Sequence, residues 1–168
     1  MSNRLKSLNV SPKLKSFTKS VFGYAAVFVV IYTLMGYIRQ PVMPDSSVMA
    51  MLDGRQAELD TLTLVYFWGS WCHVCTHTSP IVNEIAKENP VLTVAVSSGD
   101  DQAVGEFVEK KGYHFEVIND ETGEIFGAWQ GQVTPSYVII KDNKMVQGFV
   151  GVQPKWLIKI RLWLAKWQ

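Results

Sequence analysis

The chain has 168 residues, 48% of them apolar by type and 18% charged, with a formal net charge of +1 and two cysteines. No internal repeat or low-complexity stretch interrupts it, which excludes a repeat array and leaves room for one domain of ordinary size with a real core. The near-neutral total conceals an asymmetry: five of the sixteen Lys and Arg residues precede residue 39, and all fifteen Asp and Glu follow it.

The first element is apolar. Residues 1–20 form a basic tail carrying Arg4, Lys6, Lys13, Lys15 and Lys19. From Val21 to Ile38 no charged residue occurs and no helical face is polar, so the segment is expected to be a transmembrane helix rather than a core helix with one wet side. Eighteen residues rise about 27 Å, close to a hydrocarbon core of about 30 Å. A cleaved signal sequence would need a shorter apolar run and a small-residue cleavage site. Met35-Gly36-Tyr37-Ile38-Arg39-Gln40-Pro41 offers no such site, so a retained anchor is expected. The positive-inside rule then places the N-terminus in the cytoplasm and the main domain outside. The charge asymmetry is thereby a matter of topology and implies no nucleic-acid partner.

Residues 39–47 read as a linker, because Pro41, Pro44 and the polar Asp45-Ser46-Ser47 oppose helix and sheet. Residues 48–168 are expected to fold as one domain. Val48–Leu52, a turn at Asp53-Gly54 and Gln56–Leu59 resemble a hairpin. Leu62–Trp68 is a nearly continuous buried strand, followed by a helix through Lys87. Val91–Val96 is a second buried strand and Asp101–Lys111 a helix. Phe115–Ile118 is a short strand, and Glu121–Trp129 a short helix. Tyr137–Lys141 and Lys144–Val150 pair around a turn at Asp142-Asn143. Pro154–Trp167 closes the chain as a helix whose stripe of Trp156, Ile160, Trp163, Leu164 and Trp167 is expected to pack on the sheet. Its Lys155, Lys159, Arg161 and Lys166 make contact with anionic lipid the alternative for that helix. Strands alternating with helices, then a hairpin and a helix, indicate an α/β fold with a mixed central sheet flanked by helices.

Both cysteines lie at the junction of the first strand and its helix, in Trp71-Cys72-His73-Val74-Cys75. Two intervening residues bring the sulfurs within bonding distance. A thiol at a helix N-terminus faces unpaired N–H groups and the positive end of the dipole, which favour the thiolate that does the chemistry. Cys72 is therefore the expected nucleophile and Cys75, one turn in, the more buried resolving thiol. His73 is a candidate for tuning the pair through its charge, with a solvated surface histidine as the alternative; Trp71 and Val74 complete the candidate tuning set. His77 and His114 read as surface residues.

Phe67-Trp68-Gly69-Ser70-Trp71-Cys72, Pro80 five residues after Cys75, Val133-Thr134-Pro135 just before the hairpin, and Gly148 and Gly151 around its end together resemble the thioredoxin fold. The hairpin prelude and apolar N-terminus resemble its membrane-anchored TlpA/ResA-like branch, and within it the suppressor-of-copper-sensitivity D-type (ScsD-like) protein disulfide oxidoreductases. The resemblance covers the whole domain. It implies a periplasmic, inner-membrane-tethered thiol–disulfide oxidoreductase that uses Cys72 and Cys75 without a cofactor or metal, in the reducing direction. It also implies a cis Thr134–Pro135 bond beside the cysteines, with the Thr134 backbone pairing with substrate. The implied partners are cysteine-containing periplasmic proteins and a transmembrane DsbD-like electron donor.

Two positions depart from the pattern. Tyr66 stands where thioredoxins carry a buried Asp, and Thr78 where many TlpA-like reductases carry a Glu. Both carboxylates are proposed to move the proton of the buried thiol, so the proton route here is open. The competing function is a copper-binding or metallochaperone module using Cys72, Cys75 and one of His73, His77 or His114. A structural zinc site would need ligands beyond the two cysteines.

Overall fold

The computed structural model describes residues 12–44 and 59–168, with side chains from residue 21 onward. All of the expected hairpin but Leu59, the linker residues 45–47, and Arg4 and Lys6 lie outside the described residues. The chain divides into two units, the second beginning at Gly36.

Helix α1 runs over Pro12–Ile38, starting nine residues before the expected span. Pro12 suits a first helical turn, and neither proline nor glycine interrupts the sequence before Val21. Beyond Ile38, Pro41 disfavours helical backbone at Gln40, and the helix stops. From Val21 the apolar side chains of α1 are exposed on all sides. By length and composition Val21–Ile38 is able to cross a bilayer.

The second unit contains β1 (Thr63–Trp68), α2 (Cys75–Ala86), β2 (Val91–Val96), α3 (Asp101–Lys111), β3 (Glu116–Asp120), α4 (Glu124–Ala128), β4 (Ser136–Lys141), β5 (Lys144–Val150) and α5 (Lys155–Ala165). The five strands form one sheet in the order β3-β2-β1-β4-β5. β1, β2 and β3 run parallel, whereas β4 is antiparallel to both β1 and β5. This is the mixed sheet of a thioredoxin-like fold. β1 lies at its centre, and its side chains alternate between two cores. Leu64, Tyr66 and Trp68 join Cys75, Ile85, Ile158 and Leu162 on one face. Val65 and Phe67 join Val94, Ile118, Trp129 and Val138 on the other. Such two-sided burial is why β1 reads as a continuous apolar run instead of an alternating one.

Three expectations need correction. β3 extends to Asp120 and α4 begins only at Glu124, because the buried Asp120 carboxylate accepts the backbone N–H groups of Ile125 (3.0 Å) and Phe126 (2.8 Å) and holds residues 121–123 as a turn. α3 matches its expected range, with Asp100 capping the Ala103 N–H at 2.8 Å and Gly112 taking the left-handed conformation at its end (φ 66°). The largest correction concerns α5. Ile158, Leu162 and Ala165 are its buried residues, whereas Trp156, Ile160, Trp163, Leu164 and Trp167 face outward. The helix carries two apolar stripes on opposite sides, and the one with the smaller side chains packs on the sheet.

Candidate active site

β1 ends at Trp68, and the chain turns through Gly69–Val74 into α2. Gly69 is needed for contact, since a Cβ there would lie 2.6 Å from the indole of Trp71. That indole donates its Nε1–H to the Val96 carbonyl at the end of β2 (3.0 Å). Ser98 accepts the Ser70 N–H at 2.9 Å and fixes the same turn from the same side. The approach to Cys72 is thus tied to the C-terminal edge of the parallel strands, where open α/β sheets place their sites.

Cys72 and Cys75 form a disulfide with Cα atoms 5.2 Å apart. α2 proper begins at Cys75, so Cys72 sits in the turn before the helix and not at its first residue. The turn is built of short-range bonds: the N–H groups of Cys75, Thr76 and His77 reach the carbonyls of Cys72, His73 and Val74. The Cys75 N–H also points at Cys72 Sγ, 3.1 Å away. This is the helix-start electrostatics expected for a thiolate, delivered from one turn further along. Cys75 is 1% exposed and Cys72 6%, so the difference in access is small but has the expected sign.

The other sequence candidates divide. Thr134 comes to the disulfide, with its carbonyl oxygen 3.8 Å from Cys72 Sγ. The Thr134–Pro135 bond is cis, Pro135 is buried, and Thr134 is half-exposed. Trp71 and Val74 flank the pair with large exposed surfaces. His73 is exposed and its ring meets His77 edge-on at 5.6 Å, one helical turn away. His114 is exposed on the β3 approach, where its N–H bonds Asn83 Oδ1. Among the described residues no group of three or more His, Cys, Asp or Glu is placed to hold a metal ion, so the copper reading finds no assembled ligand set.

The two departures from the family pattern are partners. The buried Tyr66 hydroxyl lies 2.8 Å from Thr78 Oγ1 and 3.0 Å from Ser79 Oγ, and Thr78 Oγ1 reaches back to the Cys75 carbonyl at 3.4 Å. Tyr66 stacks on Tyr137 with ring centroids 5.0 Å apart. Burial pushes the Tyr66 phenol up to about 12 and raises Tyr137 as well. The buried end of the site is therefore furnished with neutral hydroxyls. They donate and accept hydrogen bonds, but at neutral pH they do not act as bases. Sequence reasoning marked Tyr66 and Thr78 separately and missed their contact.

A family model described as Redoxin matches residues 40–156. The chain belongs to the Redoxin family. It is 36% identical to a "Thioredoxin-like protein" of Haemophilus influenzae over 163 residues, covering 92% of this chain and 98% of the relative. It is 34% identical over 117 residues to the "Thiol-disulfide oxidoreductase ResA" of Bacillus thuringiensis, covering 64% and 68% respectively. Among solved structures, StoA from Bacillus subtilis superposes with a TM-score of 0.61 at 19% identity, over 71% of this chain and 98% of that one. The Mycobacterium tuberculosis dsbF structure gives 0.62 at 22% identity, over 71% and 94%. At these identities the structures speak for the fold alone. Together with the Cys72–Cys75 disulfide, the sequence relatives make this member of the family a ResA/TlpA-like thiol–disulfide oxidoreductase.

Proposed function

We propose that the protein is a membrane-tethered reductase of periplasmic protein disulfides, with Cys72 as nucleophile and Cys75 as resolving thiol. The observation that carries the reading is the position of Cys72 Sγ, which receives the Cys75 N–H on one side and lies against the Thr134 carbonyl on the other. In the reduced protein the Cys72 thiolate attacks one sulfur of a substrate disulfide. The substrate S–S bond breaks and a mixed disulfide forms. Cys75, as thiolate, then attacks Cys72 Sγ, the Cys72–Cys75 bond forms, and the second substrate thiolate leaves. Two electrons pass to the substrate. The proton given up by Cys75 is matched by the one that the departing thiolate takes up, so the neutral Tyr66–Thr78–Ser79 cluster need only hold the buried sulfur's surroundings in place.

Thr134 is the proposed backbone contact for the substrate, adding an extended peptide beside Cys72. Trp71, His73 and Val74 form the exposed rim that a partner protein would meet. The reducing direction is supported by the site's chemistry. A strong oxidant of this type owes its potential to a heavily stabilised reduced form. Here Cys72 Sγ receives one backbone N–H, and the exposed His73 ring shares whatever charge it carries with solvent. Val21–Ile38 serves as the anchor in this reading, with the N-terminus cytoplasmic and a transmembrane DsbD-like dithiol protein as electron source.

The test is covalent trapping. A Cys75→Ser chain keeps the nucleophile and lacks the intramolecular exit, so mixed disulfides should accumulate as reductant-sensitive adducts on non-reducing gels. The double Cys→Ser chain should show none, and Cys72→Ser fewer. Equal trapping by Cys72→Ser and Cys75→Ser would remove the assignment of roles.

A further inference from the structure

We infer that the outward face of α5 is a docking surface for the lipid bilayer itself, so that the catalytic domain lies on the membrane instead of hanging freely from it. The inference rests on the proposed anchor and goes beyond it. Trp156, Ile160, Trp163, Leu164 and Trp167 follow helical spacing and fall on one side, opposite the buried Ile158, Leu162 and Ala165. Their exposures run from 46% to 77%, with Trp167 the highest. Among the described residues after α1, the other exposed large apolar residues are Trp71 and Val74, which rim the disulfide, and Val42 and Val152. A single exposed apolar residue is ordinary, but a contiguous stripe rich in tryptophan is not.

Three observations name the occupant. The first is the length of the tether. Ile38 ends the apolar span, and the Val42 N–H is already bonded to the Trp129 carbonyl at 2.7 Å, with Pro41 buried. Four Cα steps reach about 14 Å at most, no more than the radius of gyration of a domain this size, about 14 Å. Some face of the domain must meet the headgroups. The second is chemistry. Indole rings favour the interface between hydrocarbon and water. Lys155, Lys159 and Lys166 line one flank of the stripe, as amphipathic interfacial helices require. Glu84 and Glu88 pair with Lys155 and Lys159, so aromatic insertion carries the contact and the cations assist it.

The third is clearance. Lys159 pairs with Glu88 just past the C-terminal end of α2, and Trp163 lines the same small cleft as Glu88 and Asn89. Cys75 is at the opposite end of α2, about 17 Å away by helical rise. A domain resting on the C-terminal half of α5 leaves Cys72 open to protein substrates. The edge strand β5 lies between the tether and the helix: a Cβ at Gly148 would meet Pro41 O at 3.0 Å, while Arg161 of α5 covers the Phe149 ring at 4.6 Å.

The six tryptophans make a direct test, because none lies in α1. The full chain is placed in nanodiscs of phosphatidylethanolamine and phosphatidylglycerol whose acyl chains are either brominated near the headgroup or unmodified. Trp68 and Trp129 are buried in the domain and Trp71 is beside the disulfide, so quenching reports on α5. Emission should fall by at least a third in the brominated discs. In the W156Q/W163Q/W167Q chain it should not fall, with disulfide exchange unchanged, and each single variant should lose part of the quenching. Equal emission in both discs overturns the inference while the anchor stands. If two copies then share a disc and separate in the triple variant, the face belongs to a second copy. Quenching that persists in the triple variant overturns the choice of face. A chain that does not co-elute with discs overturns the anchor, and this inference with it.

Discussion

Replacing Tyr66 by Phe removes a single oxygen from the hydroxyl cluster one turn of α2 beyond Cys75. The ring and its stacking on Tyr137 are kept. Lost are the bonds to Thr78 at 2.8 Å and Ser79 at 3.0 Å. At a net 0.5–1.5 kcal/mol for each neutral bond, the loss is about 2 kcal/mol at pH 8. With a urea m-value of about 2 kcal/mol/M, the midpoint should fall by about 1 M. The pH dependence supplies a second, independent check. Tyr66 is raised from 10.0 in the unfolded chain to about 12 in the folded one, because burial opposes the phenolate. Its contribution is therefore complete below pH 10 and is lost as the pH rises toward 12. By pH 11 the wild type should have lost about 1.4 kcal/mol through Tyr66, a loss the Phe variant cannot suffer. The gap between the two should shrink from about 2 to below 1 kcal/mol, with Tyr137 acting equally on both. Urea unfolding of the full chain in detergent micelles at pH 8 and pH 11 measures it. A gap under about 0.5 kcal/mol at pH 8, or one that does not narrow, would refute the hydrogen-bonded cluster.

Gly69→Ala should displace the Trp71 indole, because the new Cβ would lie 2.6 Å from the ring. The exposed ring can swing away, so stability should fall by only about 1 kcal/mol for the lost bond to Val96. The indole N–H resonance of Trp71 should shift markedly, and an unmoved resonance would contradict the close approach. Removing residues 1–39 should leave a domain with intact insulin-type disulfide reduction, since among the described residues both cores are built from Leu59 onward, with Met43 packed against one of them. Loss of that activity would assign the apolar segment a part in the fold. An accessibility tag at residue 2 should be protected from outside reagents while one on the domain reacts, and the reverse would overturn the charge argument for topology.

The central strands were legible because burial on both faces of a sheet produces short apolar runs bounded by turn residues, and β2 matches its expected range to the residue. The cysteine pair was legible because a strand followed by Trp-Cys-x-x-Cys leaves few other chemistries. Periodicity failed where a helix offers two apolar stripes. It registers that Trp163 and Ile158 are both apolar, but not that the sheet accepts the narrower Ile158–Leu162–Ala165 stripe and leaves the tryptophans outside. The late start of α4 escaped for a related reason. Nothing in the local pattern marks Asp120 as buried, and the fold turns its carboxylate onto the N–H groups of Ile125 and Phe126. Contacts such as Tyr66 with Thr78 join residues twelve apart across a strand–helix turn, and only the packed structure brings them together.

The equilibrium potential of the Cys72–Cys75 couple against glutathione tests the reducing role most directly. A site whose nucleophile receives one backbone N–H, beside buried neutral hydroxyls, should lie near the thioredoxin value of about −270 mV. A value near −120 mV would mean a strongly stabilised reduced form, and the protein would then be an oxidant.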